Sequence, residues 1–172
     1  KLAGGVGFGQ LVVLIHSEPP NKIMKKELLY EFCSDSTEKT EGIGESFAKE
    51  LEIGDFVALV GDLGAGKTAF VRGMARGMGI DARVNSPTFT IVQVYEEGRL
   101  PLYHFDVYRI GDVEEMEEIG YEDYFYGNGV SLIEWANLIE EILPEHYTEI
   151  KIEKDLEKGF DYRKITVTSI GE

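Results

Sequence analysis

Gly61-Asp62-Leu63-Gly64-Ala65-Gly66-Lys67-Thr68 is the stretch on which the fold turns. It satisfies G-x-x-x-x-G-K-[ST], a loop whose backbone N–H groups and lysine cradle phosphates while the final hydroxyl ligates magnesium. Its flanks are those the motif requires. Phe56-Val57-Ala58-Leu59-Val60 reads as a buried strand entering the loop, and Phe70, Val71, Met74, Ala75 and Met78 recur at helical spacing after it. Strand, glycine loop and helix N-terminus in this order distinguish the site from a glycine turn that happens to contain a lysine.

Outward from the loop, strand-like and helix-like segments alternate. Glu27 to Phe32 reads as a strand; Asp35 with Glu38 fits a capping box ahead of a helix whose apolar stripe is Ile43, Phe47, Ala48 and Leu51. Gly77 and Gly79 are expected to cap the loop helix, and Ser86-Pro87-Thr88-Phe89-Thr90 to run extended, since a residue before proline avoids the helical region. Thr90 to Tyr95 and Leu100 to Asp106 read as a hairpin. Asp112 with Glu115 is a second capping box, opening a short helix through Val113, Met116 and Ile119 that stops at Gly120. Val130 to Trp135 reads as a buried strand, Leu138, Ile139 and Ile142 as a short helix before Pro144, and Tyr147 to Glu153 with Tyr162 to Thr168 as a closing hairpin around Glu157-Lys158-Gly159. The expected fold is therefore α/β: a P-loop NTPase-like three-layer sandwich on a mixed, largely parallel sheet with added antiparallel hairpins.

The 172 residues fit one domain, and 43% hydrophobic with 28% charged residues is the composition of a globular chain rather than a disordered one. A net charge of −15, from 32 acidic against 17 basic residues, argues against strong independent binding to nucleic acid, which calls for a basic face. The single cysteine, Cys33, has no internal partner, fits a reducing cytoplasm and is expected to be a small buried residue. Leu11 to Ile15 is far too short an apolar run to span a bilayer, so no membrane association is expected.

Phosphate chemistry beyond binding needs an acid to place magnesium or water. Asp106 ends Leu102-Tyr103-His104-Phe105 and Glu134 ends Val130-Ser131-Leu132-Ile133, both at the carboxyl edge of the expected sheet. Thr88 lies where nucleotide switches place a sensor for a terminal phosphate or its magnesium. Trp135 fits either a base or ribose platform or the core. His104 reads as structural, with no second His or Cys at metal-ligand spacing, and Arg109 as a surface residue. The guanine signature N-K-x-D is missing, because Asn21-Lys22 precedes the loop and lacks the aspartate, which favours ATP over GTP.

In combination these blocks resemble the bacterial TsaE (YjeE) family of small ATPases. The blocks are Gly61 to Thr68, Ser86 to Thr90, His104-Phe105-Asp106-Val107-Tyr108-Arg109, Gly120-Tyr121-Glu122-Asp123-Tyr124-Phe125 and Leu132-Ile133-Glu134-Trp135. The resemblance implies an ATPase that supports the TsaD–TsaB pair in making N6-threonylcarbamoyladenosine at position 37 of tRNA, meeting tRNA only through that complex. It further implies ATP or ADP and Mg2+ as ligands, held by Gly61, Asp62, Leu63, Gly64, Ala65, Gly66, Lys67 and Thr68. In it, Thr68 and Glu134 hold magnesium, Lys67 contacts phosphates, Asp106 and Thr88 act at the switch, and Thr37, Tyr162 and Arg163 lie near the nucleoside. Ala136 departs from the pattern, where many members have proline. A small-molecule kinase and a nucleotide-gated binding module with negligible hydrolysis are the alternatives for the same loop.

Residues 1–23 stand apart. Gly5, Gly7 and Gly9 have the wrong spacing for a dinucleotide fingerprint and read as a loop, Ser17 to Asn21 punctuates the chain, and Met24-Lys25-Lys26 resembles a translation start. They are expected to be an N-terminal extension to a single domain over 24–172. Deleting residues 1–23 should therefore leave thermal stability and nucleotide affinity unchanged, as checked by calorimetry. Loss of either would refute the assignment.

Overall fold

The computed structural model describes residues 24–171; the extension expected over residues 1–23 lies outside them. The elements in chain order are β1 (Lys25–Ser34), α1 (Thr37–Ala48), β2 (Phe56–Val60), α2 (Lys67–Gly77), β3 (Val92–Tyr95), β4 (Leu102–Asp106), α3 (Glu114–Ile119), α4 (Tyr121–Phe125), β5 (Val130–Glu134), a 3-10 segment (Ala136–Ile142), β6 (Tyr147–Lys154) and β7 (Arg163–Gly171). Seven strands form one sheet in the order β1-β7-β6-β2-β5-β4-β3. The central strands β6, β2, β5 and β4 run parallel; β7 and β3 flank them antiparallel, and β1 pairs antiparallel with β7.

Strand alternation sorts the core into two apolar layers. Val57, Leu59, Leu102, Leu132, Ile150 and Ile152 face α1 and α2 and pack on Phe70, Val71, Met74 and Met78. Phe56, Ala58, Phe105 and Ile133 point the other way, to Met116, Tyr121, Phe125 and Ile139 of the short helices. The structure is thus the expected three-layer α/β sandwich. β5 is buried along its whole length, which is why Val130 to Glu134 carries an apolar run rather than an alternation.

Glycine sets the distance between α1 and α2. A methyl at Gly44 would strike the Phe70 carbonyl, one at Gly73 the Glu41 carbonyl, and one at Gly77 the Glu45 carbonyl, so each helix lays its backbone against the other. Arg76 ties the outer edge to Glu45 at 2.6 Å and Glu41 at 3.3 Å, pairs too exposed to add much. At the end of α1, Arg99 Nη2 donates to the carbonyls of Ala48 at 2.7 Å and Leu51 at 2.8 Å, satisfying groups the helix leaves open.

Several local expectations shift. The cap of α1 is Ser36, whose Oγ accepts from Lys39 N at 3.1 Å, one residue beyond the expected Asp35–Glu38 box. Ser36 prevails because Ser34 Oγ donates to its carbonyl at 2.8 Å and fixes the entering chain. Leu51 lies past the helix but still in the core. Gly77 is the last residue of α2 and serves packing, whereas Gly79, with φ of +76°, ends the helix as expected. Ser86 and Pro87 lie outside helix and strand, and Thr88 to Thr90 form a turn closed by Ile91 N donating to Pro87 O at 2.7 Å in place of the expected extended run. Helix α4 was not foreseen. Cys33 is exposed on β1, correcting the expectation of a buried residue, and its Sγ lies 3.0 Å from Tyr162 Oη.

Gly73→Ala should destabilise the fold by about 2 kcal/mol or more, since inserting a methyl into a tight contact forces backbone shifts. Urea unfolding should show a lower midpoint with an unchanged m-value, whereas Gly42→Ala, which meets open space, should not lower it.

Candidate functional site

The parallel strands bring their carboxyl ends to one edge, and the candidate residues sit there because of strand register. Glu134 stands opposite Asp106 of β4 on one side and Leu59 of β2 on the other. Two residues beyond Leu59, at Gly61, the chain enters the glycine loop. Asp106 and Glu134 are each 3% exposed, so two carboxylates are buried beside the loop.

Lys67 is their cation. Its ammonium donates to the loop carbonyls of Gly61 at 2.6 Å and Asp62 at 2.9 Å, and lies 4.5 Å from the Trp135 ring centre. Burial pushes this lysine below its ordinary range; Glu134, Asp106 and Asp62 oppose that shift by favouring the charged form. Trp135 has a left-handed φ of +64° and also packs on Tyr108, with ring centres 4.9 Å apart. It is half-buried, packed against the core, with the loop lysine over its ring.

Ser86 joins the acids. Its Oγ lies 2.5 Å from Asp106 Oδ2 and 2.9 Å from Glu134 Oε2, so one hydroxyl bridges two buried carboxylates. Thr88 Oγ1 donates to the same Asp106 oxygen at 3.0 Å, and Tyr108 N donates to Asp106 Oδ1 at 3.0 Å. The turn that delivers Ser86 and Thr88 ends at Ile91, a β-branched residue at φ +67° whose carbonyl accepts from Asp106 N at 2.8 Å. Such backbone is costly and persists where its surroundings fix it. His104 is 1% exposed, with Nε2 3.4 Å from Glu134 Oε1 and with Nδ1 unpartnered among the described residues. It lies under the site rather than on a remote part of the core.

The loop has the form of an anion cradle. Gly64 at φ +72° and Gly66 at φ +104° adopt left-handed backbone, and Gly61 lies so close to the Ile152 carbonyl that a Cβ would meet it at 2.7 Å. Thr68 occupies the first turn of α2, half-buried beside Lys67. A cleft of about 420 Å³ opens next to the loop between Gly61, Ala65, Trp135 and Lys154. Arg163 donates from Nε to Ala65 O at 2.7 Å, Tyr162 pairs with Cys33, and Ser34 stands opposite Arg163, which brings the start of α1 with exposed Thr37 to this end of the sheet. Arg109 lies over the exposed Phe89 ring at 4.2 Å.

These residues fit a nucleotide with magnesium. Two buried carboxylates against one buried ammonium leave net negative charge beside hydroxyls of Thr68, Ser86 and Thr88. Among the described residues no group of three or more His, Cys, Asp or Glu could hold a metal by itself.

Comparison with known proteins decides the family. The family model for "Threonylcarbamoyl adenosine biosynthesis protein TsaE" matches residues 34–165. The chain belongs to the TsaE family. It is 51% identical over 134 residues to the tRNA threonylcarbamoyladenosine biosynthesis protein TsaE of Bacillus subtilis, covering 78% of this chain and 82% of that protein. The protein of the same name from Treponema pallidum is 44% identical over 119 residues, with 69% and 87% covered. Among solved structures, Bacillus subtilis YdiB superposes with a TM-score of 0.71 at 42% identity, over 87% of this chain and 88% of that one. The TsaE match spans the loop, both carboxylates, Ser86 and Arg163. No helix among the described residues is long and apolar enough to cross a membrane.

Sequence reasoning missed Ser86 as a site residue. The signal was present in the hydroxyl-rich Ser86-Pro87-Thr88, but which hydroxyl reaches the acids depends on the turn at Thr88 to Thr90. Ser86→Ala should cost about 1–3 kcal/mol, because it removes the donor shared by two buried carboxylates. Thr88→Ala should cost less, since Asp106 keeps its bonds from Ser86 and Tyr108; chemical denaturation of both variants checks the order.

Proposed function

We propose that this TsaE-family chain binds ATP with magnesium and hydrolyses it to ADP and phosphate. In doing so it sustains repeated turnover of the TsaD–TsaB pair as that pair forms N6-threonylcarbamoyladenosine at position 37 of tRNA. The observation that carries the proposal is the convergence of Asp106 and Glu134, bridged by Ser86, at the sheet edge where β2 runs into the glycine loop. The names of its relatives, in tRNA threonylcarbamoyladenosine biosynthesis, support the pathway.

In this proposal, N–H groups of Gly61 to Thr68 and the Lys67 ammonium bind the phosphates. Thr68 and Glu134 hold magnesium, which when bound neutralises charge on the phosphate oxygens. Asp106, fixed by Tyr108 N and facing the hydroxyls of Ser86 and Thr88, orients the attacking water or the metal's water shell. Thr88 rides on the strained turn ending at Ile91, so a change at the terminal phosphate can reach the surface at Phe89 through that turn. Thr37 and Tyr162, at the same end of the sheet, and Trp135 offer surfaces for the nucleoside. A net charge of −15 supports action through protein partners, with tRNA reached through the complex.

Reconstitution with TsaB, TsaD and TsaC tests this. Lys67→Ala and Glu134→Ala should each reduce multiple-turnover tRNA modification by about a hundredfold or more, the scale of removing a charge clamp. Full turnover with Lys67→Ala would overturn the ATPase proposal. With γ-labelled ATP the label should emerge as free phosphate; its appearance on a metabolite would favour a kinase. Retained turnover in Glu134→Ala with hydrolysis abolished would favour a nucleotide-gated module.

A further inference from the structure

Two cations hold the glycine loop from outside. Lys154, at the end of β6, and Arg163, at the start of β7, stand directly opposite each other across the hairpin. Like charges so placed repel, and the pairing is tolerable only where acceptors compensate it. The acceptors are carbonyls of the loop. Lys154 Nζ donates to Leu63 O at 3.3 Å, Arg163 Nε to Ala65 O at 2.7 Å, and Arg163 Nη2 lies 3.5 Å from Gly64 O. The remaining guanidinium nitrogen, Nη1, donates to the carbonyls of Phe160 at 2.9 Å and Tyr162 at 2.7 Å. Every nitrogen of Arg163 therefore faces a backbone carbonyl.

A trans peptide sets the C=O of one residue and the N–H of the next on opposite sides. No cis peptide occurs among the described residues. Drawing the Leu63 and Ala65 carbonyls toward the hairpin therefore turns the N–H groups of Gly64 and Gly66 away from it. Among the described residues neither of these N–H groups makes a backbone hydrogen bond, whereas Ala65 N donates to Asp62 O at 3.0 Å. The left-handed backbone of Gly64 and Gly66 permits this alternation.

We infer that Arg163 and Lys154 are positioning residues: by holding loop carbonyls they aim the Gly64 and Gly66 N–H groups at an anionic polyphosphate, and Arg163 does so without touching the nucleoside. The inference rests on the nucleotide-binding proposal above. It differs from the nucleoside contact that resemblance implies for Arg163, because four of the five N–H groups of that side chain face backbone carbonyls.

The test is isothermal titration of the full chain with ADP and, separately, inorganic tripolyphosphate, each with magnesium. Arg163→Ala should weaken both ligands about tenfold or more, and Lys154→Ala both by about threefold. Arg163→Lys should fall between wild type and Arg163→Ala, since a lysine cannot reproduce the several carbonyl contacts of a guanidinium. Loss of ADP affinity with tripolyphosphate affinity intact would place Arg163 on the nucleoside and overturn the inference. Unchanged affinities in both alanine variants would overturn it while leaving the nucleotide-binding proposal standing, and a wild-type chain that binds neither ligand would overturn both. If Arg163→Ala does not fold, Lys154→Ala at an exposed position decides the question: no loss of tripolyphosphate affinity there overturns the inference.

Discussion

The burial of Lys67 beside two carboxylates is the constraint around which the site is arranged. An ammonium taken out of water needs nearly every donor satisfied, and a lone buried carboxylate carries a comparable cost. The chain meets both demands at one sheet edge. Gly61 and Asp62 offer carbonyls to the ammonium, while Ser86, Thr88 and the Tyr108 N–H donate to the acids. Substitutions that remove one partner leave an opposite group stranded, which is why changes at Ser86 should register in stability as well as in chemistry.

Such an arrangement requires the parallel pairing of β2, β5 and β4. A slip of one residue would turn Glu134 from the α1 and α2 face to the opposite layer, exchanging it for Ile133. Register is secured by apolar burial on both faces of β5, so the core and the acids are specified together. Backbone strain appears at two positions bordering these acids, Ile91 and Trp135. Both follow strands or turns that the core holds in place, so packing elsewhere supports an unfavourable conformation where the side chains must converge.

The parts of this structure that were legible in the sequence are those governed by period and by short-range chemistry. Val57 to Val60, the loop and the buried face of α2 follow from apolar spacing and the glycine pattern, and Asp106 and Glu134 could be picked out as acids ending apolar runs. What escaped depends on distant contacts. Ser36 displaces Asp35 as a cap through its bond to Ser34, Thr88 to Thr90 turn because Ile91 closes on Pro87, and Cys33 is exposed because β1 is an edge strand with little covering it. Ser86 becomes a bridge only after β4 and β5 pair. Gly44 and Gly73 carry no loop signal at all, and Gly77 reads as a helix cap; the meaning of all three is the approach of two helices, which no local window contains.

The loop itself shows how local motif and distant support divide the work. Its glycines permit left-handed backbone but do not choose which peptide faces which way, because glycine tolerates both hands. Selection comes from outside: Lys67 draws in the carbonyls of Gly61 and Asp62, and the β6–β7 hairpin draws out those of Leu63 and Ala65. Two sets of cations thus pull opposite ends of the loop in different directions, leaving the N–H groups of Gly64 and Gly66 without backbone partners between them. Exposed N–H groups cost little while water reaches them, and they need no reorganisation to meet an anion that displaces that water. A sequence motif of eight residues accordingly relies on residues nearly a hundred positions away for the geometry that gives it an affinity.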